Sequence, residues 1–143
     1  MLREVTEIES IGDSCYNLAR TINHKYRGNE DFTEKQYSHI HQMFQLTDDA
    51  LNQMVSLVED EGHQVDVNKS FNLENEINNY RSQLKNQNVL DVNNKEYDYQ
   101  MGVHYMDLIG ECEKLGDYIV NVVEARTDMK REENSAVLFY ISL

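Results

Sequence analysis

Residues 95–126 read KEYDYQMGVHYMDLIGECEKLGDYIVNVVEAR, and this stretch indicates the fold. Its apolar and small residues recur at steps of three and four, which is the spacing of one face of an α-helix. The stripe consists of Met101, Tyr105, Leu108, Ile109, Cys112, Leu115, Gly116, Ile119, Val122 and Val123. We therefore expect one long amphipathic helix with a buried face.

Three further segments towards the N-terminus show the same period, and the connections between the segments are short. Helix ends are predicted at Arg27-Gly28-Asn29 and between Asn88 and Asn94. One helix start is predicted at Asp31-Phe32-Thr33-Glu34, which resembles a capping box, and another at Asn93-Asn94-Lys95-Glu96, which offers a cap signal. Short connections place consecutive helices side by side and antiparallel. The sequence thus predicts an all-α fold, an up-and-down antiparallel four-helix bundle.

The bundle is assigned to residues 1–127, and residues 128–143 form a C-terminal tail of uncertain structure. The charged first half of the tail is expected to continue the last helix. Residues 136–143 are apolar and β-like in composition. They could pack back on the bundle, dock on a partner or be an addition to the native sequence, and the sequence leaves all three open.

Composition limits the classes of partner. The chain of 143 residues has no proline and only six glycines, which favours a few long helices. Its formal net charge of -13 would be repelled by nucleic acid and by an anionic membrane surface. No run approaches the roughly 20 apolar residues that span a bilayer. Cys15 and Cys112 form no C-x-x-C unit and are predicted to be buried free thiols in a reducing compartment.

One acidic motif occurs twice in the sequence. Residues 8–13 and 112–117 both read apolar-Glu-x-apolar-Gly-Asp, and an asparagine follows each aspartate by four residues, at Asn17 and Asn121. Such a repeat, about a hundred residues apart, suggests duplicated helical units.

The carboxylates of each motif form an i,i+4 pair, Glu9 with Asp13 and Glu113 with Asp117, so each pair shares one helix face. Stacked like charges repel, and a bound metal cation would offset the repulsion. If the first and last helices pack side by side, with the glycine of each motif allowing close approach, four carboxylates would converge on one patch. The alternative is a solvated helix surface without metal.

The two motifs resemble the E-(R)-I-G-D-x-x-x-N signature of the PhoU family, which stands on the third helix of each three-helix unit. The resemblance implies one such unit at about residues 33–126, preceded by the last helix of another unit. Ser10 and Lys114 stand where the family often has arginine. In the family this motif is associated with iron or zinc clusters. The resemblance therefore implies that the metal ligands are Glu9, Asp13, Glu113 and Asp117.

PhoU-like domains act as free regulators of phosphate uptake and signalling, and as cytoplasmic C-terminal parts of bacterial sodium/phosphate cotransporters. The partial repeat favours the second case. The resemblance implies a non-catalytic regulatory domain at the cytoplasmic face of the inner membrane, whose partner is a membrane transporter domain or a phosphate-signalling protein. The alternatives are a truncated free regulator of a phosphate ABC transporter and a helical interaction module without metal. A homodimer is also expected.

Catalysis is not predicted. Di-iron oxidases built on helical bundles use Glu-x-x-His pairs, and none of the five histidines follows a glutamate by three residues. His63 follows Asp60 by three in a turn, which is a weak metal motif. The sequence has no Gly-rich phosphate loop and no G-x-S-x-G elbow. Free phosphate is not expected to bind without a metal, because no cluster of arginines is present.

Overall fold

The computed structural model describes residues 2–27, 31–60 and 66–143, which form four α-helices and no strand. The helices are α1 (Leu2–Arg27), α2 (Glu34–Glu59), α3 (Val67–Asn93) and α4 (Tyr99–Ser142). The predicted all-α helical bundle is confirmed. Among the described residues, no helix is both long and apolar enough to cross a membrane.

Helix α4 is the central element of the bundle. It packs along each of the other three helices, and α2 and α3 also pack against each other. Helix α1 packs along α4 and touches α2 at its C-terminal end, where Lys25 contacts Tyr37. The stripe predicted on α4 is the core: Ile109, Cys112 and Val122 are fully buried, with Met43 of α2 and Ile77 of α3 against them. The residues around α4 therefore fall into a three-helix unit, α2–α3–α4, and a single attached helix, α1.

Two predicted helix starts are shifted in the structure. Helix α2 begins after Thr33, whose hydroxyl accepts the backbone N–H of Gln36 while the Gln36 side chain accepts the N–H of Thr33. The capping box is thus built on Thr33 and not on Asp31. Helix α4 begins after Asp98, which caps the N–H of Met101, and Asn94 ends α3 instead of starting α4.

The C-terminal tail is helical. Helix α4 continues to Ser142, so the β-like interpretation of residues 136–143 is wrong. No glycine or proline follows Gly116, so no helix-breaking residue stops α4 once its packed part has formed. The side chains of residues 131–143 are all exposed, so this extension runs past the packed part of the bundle.

Helix α1 buries only one edge of its apolar stripe, through Ile11, Leu18 and Ile22. Leu2, Val5 and Ile8 are exposed, while Glu4 and Ser14 are buried against α4. The helix runs antiparallel to α4, since Arg3 at its start pairs with Glu124 and Asp128, and Ser14 contacts Glu111. Helix α1 is therefore rotated so that much of its apolar surface is uncovered.

The two cysteines differ in their surroundings. Both are free thiols, as predicted, but only Cys112 is buried, and Cys15 is exposed because of the rotation of α1. Burial raises the pKa of the Cys112 thiol to about 12, with a hydrogen bond involving Thr47 opposing the shift. Cys112 is therefore a protonated core residue at neutral pH.

Candidate acidic site

The carboxylate pair of α4 lies beside α3. The Nε atom of Arg81 on α3 is 2.6 Å from Oε2 of Glu113, and both side chains are about one-third exposed or less, at 34% and 27%. Asp117, one turn further along α4, is exposed. The pair predicted from the motif thus has a guanidinium partner on the neighbouring helix.

A third carboxylate joins this pair from α3. Glu74 lies close to Asp117 and accepts a hydrogen bond of 2.6 Å from Nδ2 of Asn78. Burial raises the pKa of Glu74, the amide of Asn78 opposes the rise, and the negative charges of Asp117 and Glu113 add to it. We call Glu74, Arg81, Glu113 and Asp117 the α3–α4 acidic cluster. It contains three carboxylates and one guanidinium.

Packing of one side chain explains why the cluster forms. Ile77 of α3 is fully buried, and a methyl group placed on Gly116 would lie 3.4 Å from its Cδ1 atom. Glu74 precedes Ile77 by three residues and Arg81 follows it by four, so all three lie on one face of α3. Seating Ile77 on Gly116 therefore brings Glu74 and Arg81 to the adjacent acidic residues of α4.

The predicted role of the two motif glycines is wrong. Gly116 opposes Ile77 of α3 and not α1, while a methyl group on Gly12 would meet no atom within 4 Å. Neither glycine therefore brings α1 and α4 close together.

The carboxylate pair of α1 lies apart from the cluster. Glu9 and Asp13 are both exposed, and neither makes a hydrogen bond or ion pair with any described residue. At about 100° per residue, they lie roughly 170° and 130° from the centre of the face that contacts α4 through Glu7, Ile11 and Ser14. The structure brings Glu113 and Asp117 together with Glu74, but it does not bring Glu9 and Asp13 to them.

The contact between α1 and α4 combines apolar side chains, Ile11, Leu18 and Ile22, with polar pairs. The Ser14 hydroxyl donates a 2.9 Å hydrogen bond to Oε2 of Glu111, and the amide of Asn121 donates to Glu7 at 3.2 Å. Asn121 is the asparagine of the second motif, so this position serves the docking of α1. Glu111, one turn before Leu115, lies outside the repeated motif, so the sequence does not identify it as a residue that contacts α1.

The arrangement does not fit a metal ion shared by the four predicted ligands. Carboxylate oxygens are suitable donors for iron or zinc. However, Arg81 already neutralises Glu113, and the described part of the chain holds no group of three or more His, Cys, Asp or Glu side chains arranged for a metal. Metal binding by Glu9, Asp13, Glu113 and Asp117 stays a prediction, and at Glu113 it requires that Arg81 moves away.

Four of the five histidines lie on the described helices. His24 and His41 are exposed, and His104 is half-buried. Nδ1 of His39 lies 2.9 Å from the Tyr105 hydroxyl, and burial lowers the pKa of His39, with Lys35 adding to the effect and Asp91 opposing it. His63, with its predicted loop motif, lies outside the described residues.

A pocket of about 250 Å³ lies where α1, α2 and α4 meet. Its walls are mainly apolar, with Ile22, Phe32 and Phe44 among them, and Lys25 is the cation among the side chains described there. Lys25 contacts Asp31 and Tyr37, so its charge is already paired. The pocket is therefore suited to an apolar group more than to an anion.

The chain matches the PhoU domain over residues 40–125, which is more than half of its length. The chain belongs to the PhoU family. The match begins within α2 and ends within α4, so it includes Glu113 and Asp117 of the α3–α4 acidic cluster. No curated protein and no solved structure matched the chain. PhoU proteins form a non-catalytic regulatory family, and this fits the prediction that the chain is not an enzyme.

Proposed function

We propose that this PhoU domain is a non-catalytic regulator in phosphate transport or phosphate signalling. The observation that carries the proposal is the family match over residues 40–125, which spans most of the α2–α3–α4 unit. The acidic surface supports a protein partner with basic groups, since a formal charge of -13 disfavours anionic surfaces.

The finer proposal is that the chain is the cytoplasmic tail of a sodium-dependent phosphate transporter. What supports it is the partial repeat, one three-helix unit with a single additional helix that carries the same motif. The free regulator of a phosphate ABC transporter is the competing choice. Hydrophobic spans encoded upstream in the same reading frame would favour the transporter tail, and their absence would reject it.

Radiolabelled phosphate uptake tests the regulatory role. Cells that carry Leu115→Asp in place of the native residue should lose the response of phosphate uptake to external phosphate, because Leu115 is buried in the core that builds the domain. Arg131→Gln, at an exposed position on the extension of α4, is the matched control and should preserve the response. Sulfate uptake should not change in either strain. An unaltered phosphate response in the Leu115→Asp strain would reject the proposal.

Metal binding is proposed separately, and elemental analysis tests it. Protein purified without chelator should contain iron or zinc if the two carboxylate pairs bind metal, and Asp13→Asn with Asp117→Asn should remove it while helicity is retained. Asp48→Asn with Asp49→Asn, two exposed positions of α2, serves as the control. Equal metal content in both double variants would move any metal site elsewhere.

A further inference from the structure

The uncovered face of α1 is apolar along most of the helix. We call Val5, Ile8, Gly12, Cys15, Tyr16 and Ala19 the outer stripe. Val5, Ile8 and Tyr16 are 48%, 45% and 67% exposed, and the space above Gly12 is open. No residue of the outer stripe carries a charge, although more than a quarter of the chain is charged. All six residues are exposed, so no other described helix covers this stripe.

The charges along α1 divide at its middle. The acidic residues Glu4, Glu7, Glu9 and Asp13 precede Ser14, while the exposed Arg20 and the partly buried Lys25 follow Cys15. Arg3 is the exception, and it is paired with Glu124 and Asp128 of α4. A second α1 placed antiparallel would therefore set the acidic half of each helix against the basic half of the other.

Two of these charges stand in matching positions. Glu9 and Arg20 lie five and a half residues on either side of the point between Ser14 and Cys15. At about 100° per residue they are separated by only about 20° around the helix, so both lie on the same flank of the outer stripe. Both side chains are exposed, and neither has an ion-pair partner among the described residues.

We propose that the outer stripe is a self-association surface, on which two copies of this chain pack α1 against α1 in antiparallel orientation. The two-fold axis passes near Cys15, and Glu9 of each copy faces Arg20 of the other. The small residues Gly12, Cys15 and Ala19 let the two helices approach closely. Such an interface is isologous, with the same surface on both copies. This proposal is independent of the phosphate-related function.

A second copy fits this surface better than another partner because the surface is complementary to itself. Antiparallel pairing matches opposite charges at both ends of the stripe and buries only neutral residues between them. Charges at the rim of an interface act mainly on specificity and register. The Glu9–Arg20 pairing therefore fixes one register among those that the apolar stripe alone would allow.

Crosslinking tests the position of the axis. A short bis-maleimide reagent should join two copies through Cys15, because the axis brings the two exposed thiols close together. Cys112→Ser should crosslink as well as the unaltered protein, since Cys112 is buried, and Cys15→Ser should not crosslink. Crosslinking that persists in Cys15→Ser, or that is absent from the unaltered protein, would overturn the proposal.

A charge exchange tests the register. In analytical ultracentrifugation with a chelator present, the unaltered protein should dimerise as its concentration rises. Glu9→Arg or Arg20→Glu alone should weaken the dimer about tenfold, since each replaces two attractions by two repulsions. The two substitutions together should restore affinity to within about threefold, because the opposite charges again face each other.

The matched control is Glu133→Arg, an exposed charge reversal on the extension of α4, which should leave the dimer unchanged. A protein that stays monomeric at all concentrations would overturn the proposal. So would a dimer that is lost when chelator is added, because metal bridging and not the outer stripe would then hold it. Failure of the double exchange to restore the dimer would also reject the antiparallel register.

Discussion

The α2–α3–α4 unit and helix α1 are attached to the same central helix by different means. Within the unit, fully buried side chains such as Met43, Ile77 and Ile109 interlock. Helix α1 instead docks through Glu7, Ser14 and a few apolar residues, and it leaves much of its apolar stripe exposed. Burial of apolar area supplies most of the stability of a fold, so the unit should be the stable part of the molecule and α1 the weaker one.

The largest expected effect comes from placing a charge in the core. Ile77→Asp or Leu115→Asp should cost about 4 kcal/mol or more and unfold the domain, because an unpaired carboxylate would be buried. Ile8→Asp makes the same chemical change on α1, where the side chain is 45% exposed, and should shift the melting temperature little. Thermal melts followed by circular dichroism, at low protein concentration, measure the difference. Similar losses for Ile8 and Ile77 would contradict the comparison.

The same contrast shows which parts of the fold could be predicted from the sequence. The stripe of α4 was predicted correctly because it is long, regular and covered on several sides. On α1, Leu2, Val5 and Ile8 show the same period, yet all three are exposed. Periodicity identifies an apolar face, but it does not tell which neighbour covers that face, or whether a neighbour does. The position of Cys15 was misjudged for the same reason.

Glycine-to-alanine substitutions compare how tightly α4 and α1 are packed, because each adds a single methyl group. In Gly102→Ala the new methyl would lie 3.0 Å from Oδ1 of Asn88 and 3.0 Å from Cγ2 of Val92. Asn88 is held by a 2.7 Å hydrogen bond from the Tyr97 hydroxyl, so it does not move freely. The overpacking cost of about 1–3 kcal/mol should exceed the helix-propensity gain of about 1 kcal/mol.

Gly12→Ala is the matched substitution on α1, and its methyl would meet no atom within 4 Å. It should stabilise the chain by up to about 1 kcal/mol, since alanine is the better helix former. Urea unfolding curves of the two variants measure the change in stability: the midpoint should fall for Gly102→Ala and rise for Gly12→Ala. Stabilisation by Gly102→Ala would mean that α3 and α4 are less tightly packed than the structure shows.

Ion pairs provide a third comparison between the two regions. Arg81→Met should cost about 1 kcal/mol, because Arg81 lies between helices at 34% exposure and its loss leaves three carboxylates close together. Arg3→Met removes the pairs from α1 to Glu124 and Asp128, where Arg3 is 52% exposed, and should cost less than about 0.5 kcal/mol. Chemical denaturation at low and high salt measures both. An Arg3 variant that loses as much stability as the Arg81 variant would contradict the difference in burial.

The acidic cluster was only half predictable. Glu113 and Asp117 were singled out because the motif repeats and an i,i+4 pair must share a helix face. Glu74 and Arg81 belong to no repeated motif, and their approach depends on how Ile77 sits against Gly116. The spacing of Glu74, Ile77 and Arg81 placed them on one face of α3, but only tertiary packing showed that this face meets the motif. The position of Glu9 and Asp13 depended on the rotation of α1, which the sequence did not indicate.

The smallest effect should be a pH dependence at Glu74. Its pKa in the folded protein is raised above the ordinary value of 4.5 by burial and by Asp117 and Glu113. A carboxyl group that binds its proton more tightly in the folded state favours folding while it is protonated, and this contribution is lost as the pH rises from about 4.5 through the folded pKa. Glu74→Gln keeps an acceptor for Asn78 but has no charge to bury. It should therefore be more stable than the unaltered protein at pH 7 and nearly equal to it at pH 4, as measured by melting temperature.

Glu76→Gln, on the exposed side of α3, should show no such difference. If Glu74→Gln lowers the melting temperature at pH 7, then the negative charge of Glu74 is needed by a cation, and the cluster is more than a by-product of packing.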